Sequence, residues 1–235
     1  GGTMAQQLRN PRQKIVVFFN HRGGTGKTSL ATHLCFLAEA RGIPTIALSL
    51  DDQADIIRWV TRGQSVTPGR LYECGNSLSA LYSPGRMPPD VEEDLVVVDM
   101  SAWSGNVGLT AAHLWLVPVF DRFAVQNSMN VMNAMQILPG GVGKFLVYNR
   151  TGAGGLRHSR ALQKAGAAID ELPGWPVTIS DNDVMLRAQM KCQAVWDVSF
   201  GRGSELDTDL RKFASLVFQR LGLLRLVRRL SLLQR

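Results

Sequence analysis

Cysteine is scarce in this 235-residue chain: Cys35, Cys74 and Cys192 are odd in number, widely spaced and without a Cys-x-x-Cys pair. That usage excludes a disulfide framework and the common zinc-ligand spacings, and the three read as reduced, structural thiols. No apolar run approaches the ~20 residues that cross a bilayer, and no apolar leader opens the chain, so neither a transmembrane helix nor secretion is expected. The expected location is the cytoplasm, peripheral to the inner face of a membrane if the tail described below binds one. Internal repeats and low-complexity tracts are missing as well. Acidic residues are the minority, 19 against 26 Lys and Arg, for a formal net charge of +7. Much of the excess lies in residues 201–235, where Arg202, Arg211, Lys212, Arg220, Arg225, Arg228, Arg229 and Arg235 outnumber Glu205, Asp207 and Asp209. A basic end favours a polyanionic partner, nucleic acid or an anionic membrane face, while solubility alone is the plainer account.

What is present is a core. Hydrophobic residues make up 45% of the chain, enough for one sizeable domain over residues 4–221, with Gly1-Gly2-Thr3 before Met4 set aside as a cloning scar. Short, nearly continuous apolar runs at 15–19, 45–50, 94–99, 114–119, 144–149 and 176–180 read as strands buried on both faces of a parallel sheet. Segments 30–40, 127–138, 159–171 and 210–221 read as helices covering those faces. The fold class is therefore α/β, a doubly wound, mostly parallel sheet with helices on both sides. Residues 61–93, rich in Gly, Pro and Ser, read as loops with short helical turns.

The densest chemistry lies in Asn20-His21-Arg22-Gly23-Gly24-Thr25-Gly26-Lys27-Thr28-Ser29, between an apolar strand and a helix. Three glycines let successive backbone N–H groups turn toward phosphate oxygens, and the positive end of the next helix adds to the field there. Lys27 is placed to neutralise β/γ-phosphate charge and the Thr28 hydroxyl to ligate Mg²⁺. Other carboxylates close strands of the same expected sheet: Asp51 after 45–50, followed by Asp52, and Asp99 after Leu95-Val96-Val97-Val98. In a parallel sheet both emerge beside the phosphates, where they can orient a water or hold a Mg²⁺ shell.

The loop resembles the deviant Walker A motif of the ParA/MinD family of P-loop ATPases, with His21 where the general pattern has glycine and Arg22 where the family has its early lysine. The resemblance covers about residues 13–198 and implies ATP and Mg²⁺ as cofactors. It implies that Arg22, Gly23, Gly24, Thr25, Gly26, Lys27, Thr28 and Ser29 bind the nucleotide, with Arg22 reaching across an ATP-sandwich homodimer to the partner's phosphates. Ser49-Leu50-Asp51-Asp52-Gln53 resembles the family's Asp-x-Asp-Pro-Gln segment, which assigns hydrolysis to Asp51 with Lys27 and Arg22, and leaves Ser49 in place of the first Asp. Thr28, Asp51 and Asp99 are the implied metal residues. Asn149, at the end of 144–149, resembles the family's adenine-contacting Asn, and the following Arg150-Thr151-Gly152 lacks the Asp of a guanine-specific motif, so ATP is favoured over GTP. Trp103, after the Asp99 strand, is either a core anchor or a contact for a partner chain.

Beyond Gly222, Leu223, Leu226, Val227, Leu230 and Leu233 share one helical face and Arg225, Arg228, Arg229 and Arg235 the other, a basic amphipathic helix over 222–235. It resembles in kind the membrane-targeting tail of MinD-type members, with a protein partner or packing on the domain as alternatives. The expected function is an ATP-hydrolysing switch, slow and partner-stimulated, that positions or partitions a cargo on an anionic membrane with an activator or cargo protein. The alternatives are a DNA-partition ATPase using nonspecific DNA as its surface, and a weakly hydrolysing MinD-like assembly factor.

Overall fold

The computed structural model describes residues 10–20, 24–50, 52–100, 112–121, 123–126, 143–150, 155–167 and 172–223. Among the described residues, seven strands are β1 (Lys14–Phe19), β2 (Thr45–Ser49), β3 (Leu71–Glu73), β4 (Leu78–Tyr82), β5 (Leu95–Met100), β6 (Leu114–Val119) and β7 (Gly143–Tyr148). They form one sheet in the order β3-β4-β2-β5-β1-β6-β7, parallel throughout except for β3 against β4. The helices are α1 (Lys27–Ala40), α2 (Asp55–Val60), α3 (Gly155–Ala167), α4 (Val184–Met190) and α5 (Glu205–Arg220).

The two-residue period of the strands divides the core. Val16, Phe18, Ala47, Val97 and Leu116 face one layer with Leu30, Leu34, Ile57, Phe213 and Val217 from α1, α2 and α5. Ile15, Val17, Phe19, Leu48, Val98 and Val117 face the other, where Leu162 of α3 packs. Apolar runs without alternation are thus strands covered on both faces, and the doubly wound α/β class holds.

Several local expectations change. Residues 61–93 contain β3 and β4 rather than loops and helical turns alone: the prolines fall outside both strands, and the Glu39 carboxylate accepts from the backbone N–H of Asn76 (2.9 Å) and Ser77 (3.3 Å) to hold their connection. Residues 176–180 form no strand. Pro173, Gly174 and Pro176 break the ladder, leaving a bridge from Leu146 to Gly174 and an Ile179 N–H bond to the Tyr148 carbonyl (2.9 Å). The helix expected from 159 begins earlier, and the expected 127–138 helix lies outside the described residues. At the end of α5, Gly222 (φ 73°) permits a Schellman cap in which the Leu223 N–H reaches the Phe218 carbonyl (2.9 Å) and the Gly222 N–H that of Gln219 (3.1 Å). Leu223 is buried in the domain core by this cap, and residues 224–235, most of the expected tail helix, lie outside the described residues.

Candidate functional site

Because β1, β2, β5, β6 and β7 are parallel, their carboxyl ends open on one edge of the sheet, where Lys27, Thr28, Asp99 and Asn149 stand. After β1 the buried amide of Asn20 donates to the carbonyls of Pro118 (3.0 Å) and Ala124 (3.3 Å), which ties the entrance of the loop to the β6 side. Gly24 (φ 72°) and Gly26 (φ 90°) take the left-handed conformation, and α1 starts at the next residue, Lys27. This curl is one that glycine adopts without strain, and it gathers amide N–H groups into a nest for an anion. α1 carries no acidic residue in its first turn and no side-chain cap, so its leading amides and positive dipole end meet no carboxylate of their own helix.

Lys27 is buried to 8% exposure and lines the cavity at this point. The Thr28 hydroxyl donates to Asp99 Oδ2 at 2.6 Å, and Asp99 is itself buried. A hydroxyl and a carboxylate oxygen held together are hard donors of the kind Mg²⁺ takes while it keeps water and phosphate oxygens for its other positions. Among the described residues no group of three or more His, Cys, Asp or Glu could hold a metal ion. Ser49 is fully buried and pairs in register with Asp99. Asn149 donates its amide N–H to the Thr25 carbonyl at 2.8 Å.

A cavity of about 470 Å³ lies over this loop, a size that takes a small-molecule ligand. Its near wall is Gly24, Gly26, Lys27, Thr28, Ser29 and Asn149; its far wall includes Arg150, Ser180, Asp183, Met185, Leu186 and Gln189, with Asp55 at the side. Asp55 and the α4 residues escape sequence reasoning because they are remote in the chain. Arg150 (φ 53°) links the walls: its guanidinium pairs with Asp181 at 3.1 Å and lies 5.1 Å from the centre of the Phe120 ring. Arg22, Gly23 and Asp51 lie outside the described residues, as does Trp103.

A buried histidine supports both walls. His33, on α1, donates from Nδ1 to the Ser29 carbonyl (2.7 Å) and accepts at Nε2 from the Val195 N–H (3.0 Å), which fixes the neutral tautomer. The rings of Phe36, Trp59 and Trp196 meet it edge-on. Burial lowers its pKa to about 4, against smaller raising effects of the Ser29 hydrogen bond and Asp207.

No protein-family model matches the sequence. A segment of 81 residues is 36% identical to a probable plasmid-partitioning protein ParA of Thermus thermophilus, covering 28% of this chain and 25% of that protein, so the match spans about a quarter of the relative. In three dimensions the chain is similar to an ATP complex of McdA from Cyanothece (17% identity, TM-score 0.69, 90% of this chain and 97% of the other). It is equally similar to the septum site-determining protein MinD of Pyrococcus horikoshii with Mg-ADP (14% identity, TM-score 0.68, 90% and 98% covered). At such identities the structural likeness shows the fold alone, and it agrees with the local match in sequence. The chain has the fold of the ParA/MinD family of P-loop ATPases, the family its phosphate loop resembles.

Proposed function

We propose that this chain is an ATP-dependent switch of the ParA/MinD kind. The observation that carries the reading is the Thr28–Asp99 hydrogen bond beside buried Lys27, at the start of a helix whose first turn lacks an acid. Gly24, Thr25, Gly26, Lys27, Thr28 and Ser29, with Arg22 and Gly23 completing the loop, bind the triphosphate, and Thr28 and Asp99 hold Mg²⁺ with Asp51 nearby. Magnesium supplies charge neutralisation at the phosphates; the protein supplies the oriented amides, Lys27 and the shape of the cavity. The purine lies toward Ser180, Met185 and Leu186, on the far wall. The relatives named above, solved with ATP and with Mg-ADP, favour this ligand.

Hydrolysis is assigned to Asp51, with Lys27 and Arg22 stabilising charge on the γ-phosphate, and the ATP state is assigned to a sandwich homodimer that separates on hydrolysis. The dimer positions or partitions a cargo from a polyanionic surface, first an anionic membrane reached through the basic amphipathic residues after Leu223. Isothermal titration with Mg·ATP, followed by size-exclusion of Asp51→Ala with ATP, tests the two halves. Saturable heat with a nanomolar-to-micromolar Kd and a dimer are expected; a monomer with ATP bound contradicts the sandwich. Vesicles of anionic lipid set against duplex DNA over a salt series decide the surface. A second reading, a weakly hydrolysing assembly factor, is favoured by Ser49, a buried hydroxyl beside Asp99 at a place where the resembled motif has a carboxylate; ATP binding without measurable turnover, with and without lipid or DNA, is its signature.

A further inference from the structure

We propose that Asn149 is a positioning residue that braces the phosphate loop and so sets affinity for phosphate, rather than reading the purine. The inference rests on the nucleotide-site reading above and gives one of its residues a different task. Asn149 is 6% exposed and its Nδ2 donates to the Thr25 carbonyl at 2.8 Å. Gly26, next along the loop, has φ +90°, and the space its Cβ would take is filled by the Asn149 amide nitrogen, with the amide carbon 3.2 Å from that point.

The geometry follows from the peptide bond. The Thr25 carbonyl and the Gly26 N–H belong to one planar trans unit and point in opposite directions. Pinning the carbonyl onto Asn149 therefore aims the Gly26 N–H away from Asn149, toward the concave side of the loop where phosphate is expected. The brace is rigidly mounted. The Asn149 N–H bonds to the Val119 carbonyl of β6 (2.9 Å), and Arg150 is held by Asp181 (3.1 Å). Gly26 is required twice over, by its left-handed φ and by the amide packed against it.

A base reader and a brace differ in what their removal does. Titration calorimetry with three probes, Mg·ATP, Mg·GTP and inorganic tripolyphosphate, on wild type, Asn149→Ala and Asn149→Asp separates them. The brace predicts that all three probes weaken by a common factor of about ten- to a hundredfold, with the ATP:GTP ratio unchanged. Asn149→Asp, equal in shape but facing the Thr25 carbonyl with an acceptor, is expected to give no rescue. Loss of ATP affinity with tripolyphosphate affinity intact overturns the proposal, as does a shifted ATP:GTP ratio. Wild type that binds none of the probes overturns the nucleotide reading itself, and is told apart because wild type and variant then agree. A ligand-free measurement gives an independent check: in thermal unfolding, Gly26→Ala is expected to cost less in the Asn149→Ala background than in wild type, since its methyl no longer meets the amide. Strictly additive losses contradict the brace.

Discussion

The wall of the cavity made by the phosphate loop and the wall made by residues 180–189 face the same space but rest on different supports. The first is continuous in sequence and anchored to central strands: Asn20 on the β6 side, Asp99 at the end of β5, Asn149 at the end of β7. The second is assembled off the sheet from residues 180–183 and helix α4, and the chain flanking it holds Arg150 (φ 53°), Cys192 (φ 49°) and Phe200 (φ 62°) in left-handed conformations that cost non-glycine residues energy. Arg150 and His33 are the ties between the two walls.

The largest effect expected on this contrast comes from the near wall. Lys27→Ala should weaken Mg·ATP on the order of a thousandfold, because it removes the cation placed to meet the β/γ-phosphates. Calorimetry and a thermal melt on the same sample check it.

Next is the tie through His33. Its folded pKa of about 4 lies below the ordinary 6.5, so between these values the unfolded chain holds more protons than the folded one. Stability present above pH 6.5 should fall as pH drops, by about 3 kcal/mol once both states are protonated. Urea midpoints at pH 7 and pH 4.5, for wild type and for His33→Gln, measure the step, and it should be absent from the variant's pH dependence.

A smaller change is expected of Thr28→Val, which removes the hydroxyl that meets Asp99 Oδ2 at 2.6 Å. The gain in ATP affinity from adding Mg²⁺ should shrink by about tenfold, roughly 1.4 kcal/mol, with Mg²⁺-free binding little altered. Smallest is Arg150→Ala. Its pair with Asp181 is half exposed, 48% and 41% for the two side chains, so its removal should cost under about 1 kcal/mol of stability. A larger loss would show that the link between the walls is structural in its own right.

The same contrast explains what could be read before the fold was known. Residues 20–29 lie side by side in the chain, and β1, β2, β5, β6 and β7 are apolar runs because both their faces are covered. Asp99 is readable because it ends such a run. β3 and β4 are obscured since Leu71-Tyr72-Glu73 and Leu78-Ser79-Ala80-Leu81-Tyr82 are short, half-exposed strands at one side of the sheet amid Gly and Pro. The far wall is hidden for a different reason: Asp55, Arg150, Ser180 and Leu186 converge only through tertiary structure. No local rule asks Ala54 to take φ 56° ahead of α2, or Arg150 to turn left-handed after β7. Asn149 shows the limit of reading a site by resemblance, since its position at a strand end is readable but its Thr25 partner, 124 residues away, is not.

Calorimetric titration of Mg·ATP into the folded wild-type protein tests the central claim most directly. Saturable binding at one site per chain, lost in Lys27→Ala, is the predicted result. Absence of heat with ATP, ADP and a nonhydrolysable analogue, on material whose melt shows a cooperative transition, would contradict it.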